Sequence, residues 1–245
     1  MAINLYHVTD PEAYQAAGPT DLIELLPVPG CNPLFLPKWI LEVLVYGIMH
    51  YEFIHLSGPT GTAKNSVIEA LHLVPENLRG ICRGLNFPFR EIKVYPIEMA
   101  TFEAPGELYE RRALRNGATY DEESRLVIAL KDSIKHKEHF LPLIWLREIG
   151  RVHSPIVQGG LLNLMTKSDI VLPDNTRIDG KCISWIADSN YQADSDSTHT
   201  LVTLDDALKR RFSINLTLDY LTAEQEGTVL SQIFHSEIQG EMGNA

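Results

Sequence analysis

Cysteine is scarce in this chain: Cys31, Cys82 and Cys182 are the three in 245 residues. They are far apart, odd in number and show no C-x-x-C spacing. That sets aside a disulfide scaffold or a zinc knuckle and leaves reduced thiols in or near a core, as expected of a cytosolic protein. Positive charge is also short. With 21 Lys and Arg against 32 Asp and Glu, the formal net charge is −11, which argues against a broad basic footprint for nucleic acid. Long apolar runs are missing. The longest, residues 39–49, is too short to cross a bilayer and contains Glu42. The first residues, MAINLYHVTDPEAY, have no basic segment followed by an apolar one, so they do not read as a signal peptide. The nine histidines show no metal-ligand spacing, and His50 and His55 flank or lie in apolar segments as structural residues. There is no internal repeat and no low-complexity tract.

What is present is a core. Hydrophobic residues make up 44% and charged residues 22%, enough for one large α/β domain, or one domain plus a fragment of a second. Residues 1–37 carry six prolines and read as an irregular arm. Pro37 then opens a helix over about 38–50, where a first-turn proline removes no helical bond. Apolar strands are predicted at 52–56, 92–99, 141–146, 182–187 and 212–216, the second interrupted by Pro96 in the manner of a strand end, edge or bulge. The continuous apolar run 141–146 suits a strand buried on both faces. Helices are predicted at 67–73, 106–115, 126–137, 156–165, 204–211 and 223–238, the last opened by Thr222 with Gln225 three residues on. Residues 169–181 read as a hairpin turning at Asp174-Asn175. Alternating strands and helices imply a parallel, helix-covered sheet.

One segment carries chemistry. Gly58-Pro59-Thr60-Gly61-Thr62-Ala63-Lys64-Asn65-Ser66 lies between an apolar strand and a helix. Gly58 and Gly61 permit backbone angles that bulkier residues resist, so that amide groups can curl around an anion at the positive end of a helix. Lys64 would reach the β- and γ-phosphates as a point charge. Two positions depart from the usual pattern. Ala63 replaces a glycine and is tolerated only if its backbone stays out of the left-handed region. Asn65 replaces the Ser or Thr whose hydroxyl ligates Mg²⁺; its carbonyl oxygen, or Ser66, is the substitute.

Several segments, in order, resemble the AAA+ ATPases and within them the MoxR-like and dynein-related branch, over about residues 38–240. GPTGTAKNS resembles the Walker A motif. Asn116-Gly117-Ala118-Thr119-Tyr120 and the following 126–131 resemble the extended piece and helix before Walker B. Leu143-Ile144-Trp145-Leu146-Arg147-Glu148-Ile149-Gly150-Arg151 resembles a Walker B strand whose usual aspartate is Arg147. Gly160-Leu161-Leu162-Asn163-Leu164-Met165 with the hairpin 170–181 resembles the pre-sensor hairpin, whose tip here has no aromatic residue. Trp185-Ile186-Ala187-Asp188-Ser189-Asn190 resembles the sensor 1 strand, and 204–212, with Ala207-Leu208-Lys209-Arg210-Arg211-Phe212, the segment that carries an arginine finger.

The resemblance implies a three-layer αβα P-loop NTPase core with a central parallel five-stranded sheet over 38–220, preceded by an N-terminal arm (1–37) and followed by a short C-terminal helical lid fragment and tail (221–245). It implies ATP and Mg²⁺ as ligands, with Gly58 to Ser66 cradling the phosphates and Asn65 facing the metal. Glu148 would polarise the attacking water and Asn190 would orient it. Asp188 reads as a strand-end residue. Arg211, with Arg210 in reserve, would reach across a subunit boundary. A cation at 147 would repel Mg²⁺ unless it swings outward or pairs with an acidic neighbour. The leading expectation is a cytoplasmic ATPase that forms a ring or other homo-oligomer and remodels a protein client, with a von Willebrand factor A domain partner implied by the resemblance alone. Two alternatives stand beside it. One is a non-hydrolysing, nucleotide-stabilised scaffold. The other is a DNA-associated module using Arg111, Arg112 and Arg115, a group that otherwise reads as a solvated helix face.

Overall fold

Short apolar segments separated by glycine, proline and polar punctuation become an alternating series of strands and helices. In the computed structural model, which describes residues 3–115, 117–152, 154–190 and 204–242, the chain begins with β1 (Leu5–His7), α1 (Pro11–Ala16), β2 (Leu22–Leu25), β3 (Leu34–Pro37) and α2 (Lys38–Met49). There follow β4 (Phe53–Gly58), α3 (Lys64–Leu73), α4 (Pro75–Gly84), β5 (Ile92–Glu98), β6 (Glu110–Arg115), β7 (Ala118–Glu123) and α5 (Arg125–His136). The remainder is β8 (Leu141–Arg147), α6 (Pro155–Leu164), β9 (Asp169–Val171), β10 (Arg177–Asp179), β11 (Ser184–Asn190), α7 (Asp206–Lys209), β12 (Ile214–Thr217) and α8 (Ala223–Met242). These elements form two compact units, one of Tyr46–Lys64 and Arg90–Leu218, the other of Met1–Val45, Asn65–Phe89 and Asp219–Ala245.

The first unit is built on a five-stranded sheet in the order β12-β4-β11-β8-β5. Every pairing in it is parallel, as expected for a P-loop NTPase core. Strand β8 is buried along its length apart from Arg147, which explains its unbroken apolar sequence. One face of the sheet presents Phe53, Ile97, Ile144, Leu146, Trp185 and Ala187 to a cluster completed by α5 and α6. Those helices flank the sheet because their apolar residues recur at helical spacing: Leu126, Val127, Ala129 and Leu130 on α5, and Val157, Leu161 and Leu164 on α6. Ser124 caps α5, its Oγ accepting from Val127 N (3.1 Å) and donating to Leu108 O (2.6 Å). On the opposite face Gly47 packs closely, and a Cβ there would lie 2.7 Å from Ile214 Cδ1 and 2.8 Å from Ile54 Cδ1.

Pro96 sits in β5, an edge strand, where its missing N–H breaks no ladder. The hairpin at 169–181 forms as β9 and β10 in antiparallel register, with Asn175 in the left-handed region (φ 64°) at its turn. Residues 106–115 depart from expectation. Instead of a helix they give a 3-10 turn, Pro105–Leu108, and then β6, which pairs antiparallel with β7. Gly117, with φ +75°, leads into β7, and the Asn-Gly pair of the sequence is the strongest short hairpin signal. The hairpin also changes the reading of the arginines: Arg111 pairs with Glu122 (2.6 Å) and Arg112 with Asp121 (3.7 Å) across the strands, so neither is an unopposed positive charge.

The second unit corrects the expectation of an irregular arm. Residues 1–37 include a helix and three strands, in a sheet of order β1-β2-β3. Asp10 caps α1 through bonds from Glu12 N and Ala13 N (3.1 Å each). Asn77, fully buried, bonds both main-chain groups of Leu26 (2.7 and 2.9 Å) and Ala70 O (3.0 Å). A Cβ at Gly84 would lie 2.4 Å from the Tyr14 ring. Thr222 and Gln225 exchange bonds as a capping box at the start of α8 (2.8 and 3.2 Å). Among the described residues no helix is long and apolar enough to cross a membrane, and all three cysteines are free.

Trp185 is fully buried at the centre of the cluster, yet its Nε1 has no hydrogen-bond partner among the described residues. Trp185→Ala is therefore expected to cost about 3–5 kcal/mol of stability. Trp185→Phe should cost much less, because it also removes a buried unsatisfied donor. Chemical denaturation of the two variants checks this, and equal losses would contradict it.

Candidate functional site

The strand order creates the site. The chain leaves β4 toward the β5 edge and leaves β11 toward β12 on the other side of β4. The carboxyl ends of β4 and β11 thus bound a topological switch point, the place where open parallel sheets bind ligands. The two strands run in register to their last residues, with Asn190 opposite Gly58. The loop from Gly58 to Lys64 leaves the sheet at this point and enters the ten-residue helix α3.

Each loop residue has a geometric reason. A Cβ on Gly58 would lie 2.1 Å from the carbonyl oxygen of Leu218, so no side chain fits there. Gly61 has φ +87°, and the space where its side chain would stand is open, which leaves the outer side of the loop free for a ligand. Thr62 donates to Pro59 O (2.9 Å). Lys64 is buried, and its Nζ donates to Gly58 O (2.9 Å), Pro59 O (2.6 Å) and, at 3.4 Å, Thr62 Oγ1. The loop therefore closes on its own ammonium group and fixes a positive charge at the helix N-terminus, where phosphate is favoured. Burial pulls the Lys64 pKa down, and the carboxylates of Asp188 and Glu148 pull it back up. Asn65 and Ser66 follow in the first turn of α3.

Ala63 does not behave as the sequence reading required. Its φ is +64°, squarely in the left-handed region that an L-residue enters at a cost of about 1–2 kcal/mol. The loop keeps the glycine conformation without the glycine.

Around this charge the rim of the sheet places acids and amides. Glu148 follows β8 and also adopts the left-handed conformation (φ 52°, ψ 49°). Its N–H donates to Asp188 Oδ2 (3.1 Å), and its carboxylate pairs with Arg151 (3.3 Å). Arg147 is drawn to Glu98 at 2.5 Å and lies over the Trp145 ring, 4.9 Å from its centroid. Of the two outcomes expected for this cation, pairing with an acidic neighbour is the one found. Asn190, half-buried, closes the β11 end.

Sequence reasoning passed over Asp188. It is only 2% exposed and accepts from Trp145 Nε1 (2.7 Å) as well as from Glu148 N. Burial pushes its carboxyl pKa up against the opposing effect of those two donors. The available signal was an aspartate directly after the apolar run Trp185-Ile186-Ala187, a position where a charge needs a reason.

Arg211 is not brought to this site within its own chain. It is exposed and lies between α7 and β12. Because Ile214 pairs with Ile54 near the start of β4, Arg211 stands at the amino-terminal edge of the sheet, a strand's length from the loop. Arg210 caps α7 beside it. His55 is structural as expected: its Nε2 lies 2.8 Å from Ser189 Oγ, and burial lowers its pKa. A separate cavity of about 380 Å³ lies beyond the end of β5, lined by residues that include Glu98, Phe102, Glu107 and Arg125; it does not include the loop.

The conformation of Ala63 yields a direct check. Ala63→Gly is expected to raise stability by up to about 1 kcal/mol, the left-handed strain less the added chain entropy of glycine. At this size that is a rise in Tm of about 2–4 °C per kcal/mol. A fall in Tm would contradict the strained backbone.

No family model matches the sequence, and no curated protein matches it. Among solved structures it is similar to the crystal structure of "a putative ATPase" from Cytophaga hutchinsonii, with a TM-score of 0.50 and 19% sequence identity over 80% of this chain. The chain spans about half the length of that structure, which it matches over 50%; at this identity the likeness is one of fold.

Proposed function

We propose that this protein binds ATP at the Gly58–Lys64 loop and is an AAA+ ATPase of the MoxR-like branch. The observation that carries the reading is the convergence, at one edge of a parallel sheet, of a loop closed on Lys64, an acid after β8 and an amide ending β11. Loop amides and Lys64 would hold the triphosphate. Glu148 would accept the proton of the attacking water once its carboxylate leaves Arg151, and the Asn190 amide would orient that water. Mg²⁺, when bound with the nucleotide, would neutralise phosphate charge. The buried carboxylate of Asp188 at the rim suits it, since Mg²⁺ uses one or two carboxylates plus phosphate and water.

The position of Arg211 supports a site shared between copies. It lies at the amino-terminal edge of the sheet, whereas the loop leaves the carboxyl end, and in this reading it would serve a neighbouring subunit in a ring or other homo-oligomer. A protein client, such as one with a von Willebrand factor A domain, and a cytoplasmic setting follow from the family resemblance. The non-hydrolysing scaffold is the second reading. It is favoured by Arg147 in place of the aspartate and by the engagement of Glu148 with Arg151. In that case binding energy would stabilise the fold and the interface without turnover.

Titration with a fluorescent ATP analogue, alongside phosphate release at high protein concentration, tests both readings. Lys64→Ala should weaken binding by about 10–100-fold, the scale of a lost charged hydrogen bond. Glu148→Gln should keep binding and lose turnover. Arg211→Ala should keep binding and lower turnover by about 10³-fold or more. Tight wild-type binding without turnover selects the scaffold; no binding by the wild type rejects both.

A further inference from the structure

The carboxylate that β8 lacks stands one strand away. The pairing of β11 with β8 runs from Ser184↔Leu143 to Ala187↔Leu146, so the next residues in step are Asp188 and Arg147. Both oxygens of Asp188 reach across to β8 and its end, one to the indole N–H of Trp145 and the other to the main-chain N–H of Glu148. Arg147 does not close on it but pairs with Glu98 on the far side. Among the described residues no cation lies within ion-pair distance of Asp188, which is 2% exposed. Two neutral N–H donors hold the group in place but do not balance its charge. An ionised carboxylate buried in that way is costly until positive charge reaches it. Lys64 and Arg147 act on it only at longer range.

We propose that Asp188 is the positioning residue that stands in for the missing β8 aspartate. It pins Glu148 in its left-handed turn and offers the buried anionic oxygen that favours a hydrated divalent cation accompanying the nucleotide. This inference rests on the nucleotide-binding reading above. It accounts for two features together: an aspartate in the middle of the sheet, and a non-glycine left-handed residue directly after β8, a class of strain that gathers at functional sites. The anionic position has moved across the same face of the sheet, from the third strand in sequence order to the fourth, while an arginine took its old place and was drawn off to the edge strand.

The test is the affinity of the full chain for an ATP analogue with Mg²⁺ and with EDTA. The wild type should bind more tightly with Mg²⁺. Asp188→Asn should lose about 10-fold or more of that metal-dependent gain, the usual scale for residues that support a metal, and change the EDTA affinity by less than about 2-fold. Returning the carboxylate to β8 in Asp188→Asn/Arg147→Asp should restore the Mg²⁺ dependence, which a merely structural role would not do. If Asp188→Asn fails to fold, the exchange variant Asp188→Thr/Arg147→Asp carries the same test. Unchanged Mg²⁺ dependence in Asp188→Asn, or no restoration in either exchange variant, overturns the inference. Wild-type binding that is equal with Mg²⁺ and EDTA overturns it and leaves the nucleotide reading standing. No nucleotide binding by the wild type overturns both.

Discussion

A single ammonium group, buried and bonded to the carbonyls of its own loop, is the constraint around which the rest is arranged. Lys64 Nζ holds Gly58 O and Pro59 O, and this closure needs a backbone that doubles back within six residues. The same short loop carries Gly61 and Ala63 at positive φ, while the Leu218 carbonyl leaves Gly58 no room for a side chain. Burial lowers the pKa of Lys64, and the carboxylates of Asp188 and Glu148 oppose part of that shift.

The sheet brings this charge and its partners together by register. Parallel pairing aligns Gly58 with Asn190 and continues from β11 to β8, so three carboxyl-terminal strand ends share one rim. Arg147 is accommodated because Glu98, on the neighbouring edge strand, draws its guanidinium off to one side. The same register leaves Arg211 at the opposite edge. One fold therefore sets the loop and Arg211 at opposite edges of one sheet.

Much of this was legible in the amino-acid order because it is local. A glycine loop between an apolar strand and a helix, the doubly buried run of β8, and the Asp174-Asn175 turn each lie within a dozen residues. What was missed depends on distance in the chain or on burial. Residues 106–115 have a helix-like mix, and their strand character comes from pairing with β7, which the segment alone does not show. Arg111 and Arg112 looked like an open basic face because their partners, Glu122 and Asp121, lie across that turn. Glu98 pairs with Arg147 over 49 positions. Asp188 read as an ordinary strand end because neither its burial nor its contacts with β8 are visible in its own segment. In residues 1–37 the prolines masked short strands that become regular only once paired.

Hydrogen exchange on the backbone amides between Gly61 and Asn65, with and without a non-hydrolysable ATP analogue, tests the central claim most directly. If these amides cup a triphosphate, their exchange should slow markedly on binding, with a smaller effect at Glu148 and Asn190. Saturating ligand that leaves Gly61 to Asn65 exchanging as before, while another segment becomes protected, would contradict the account.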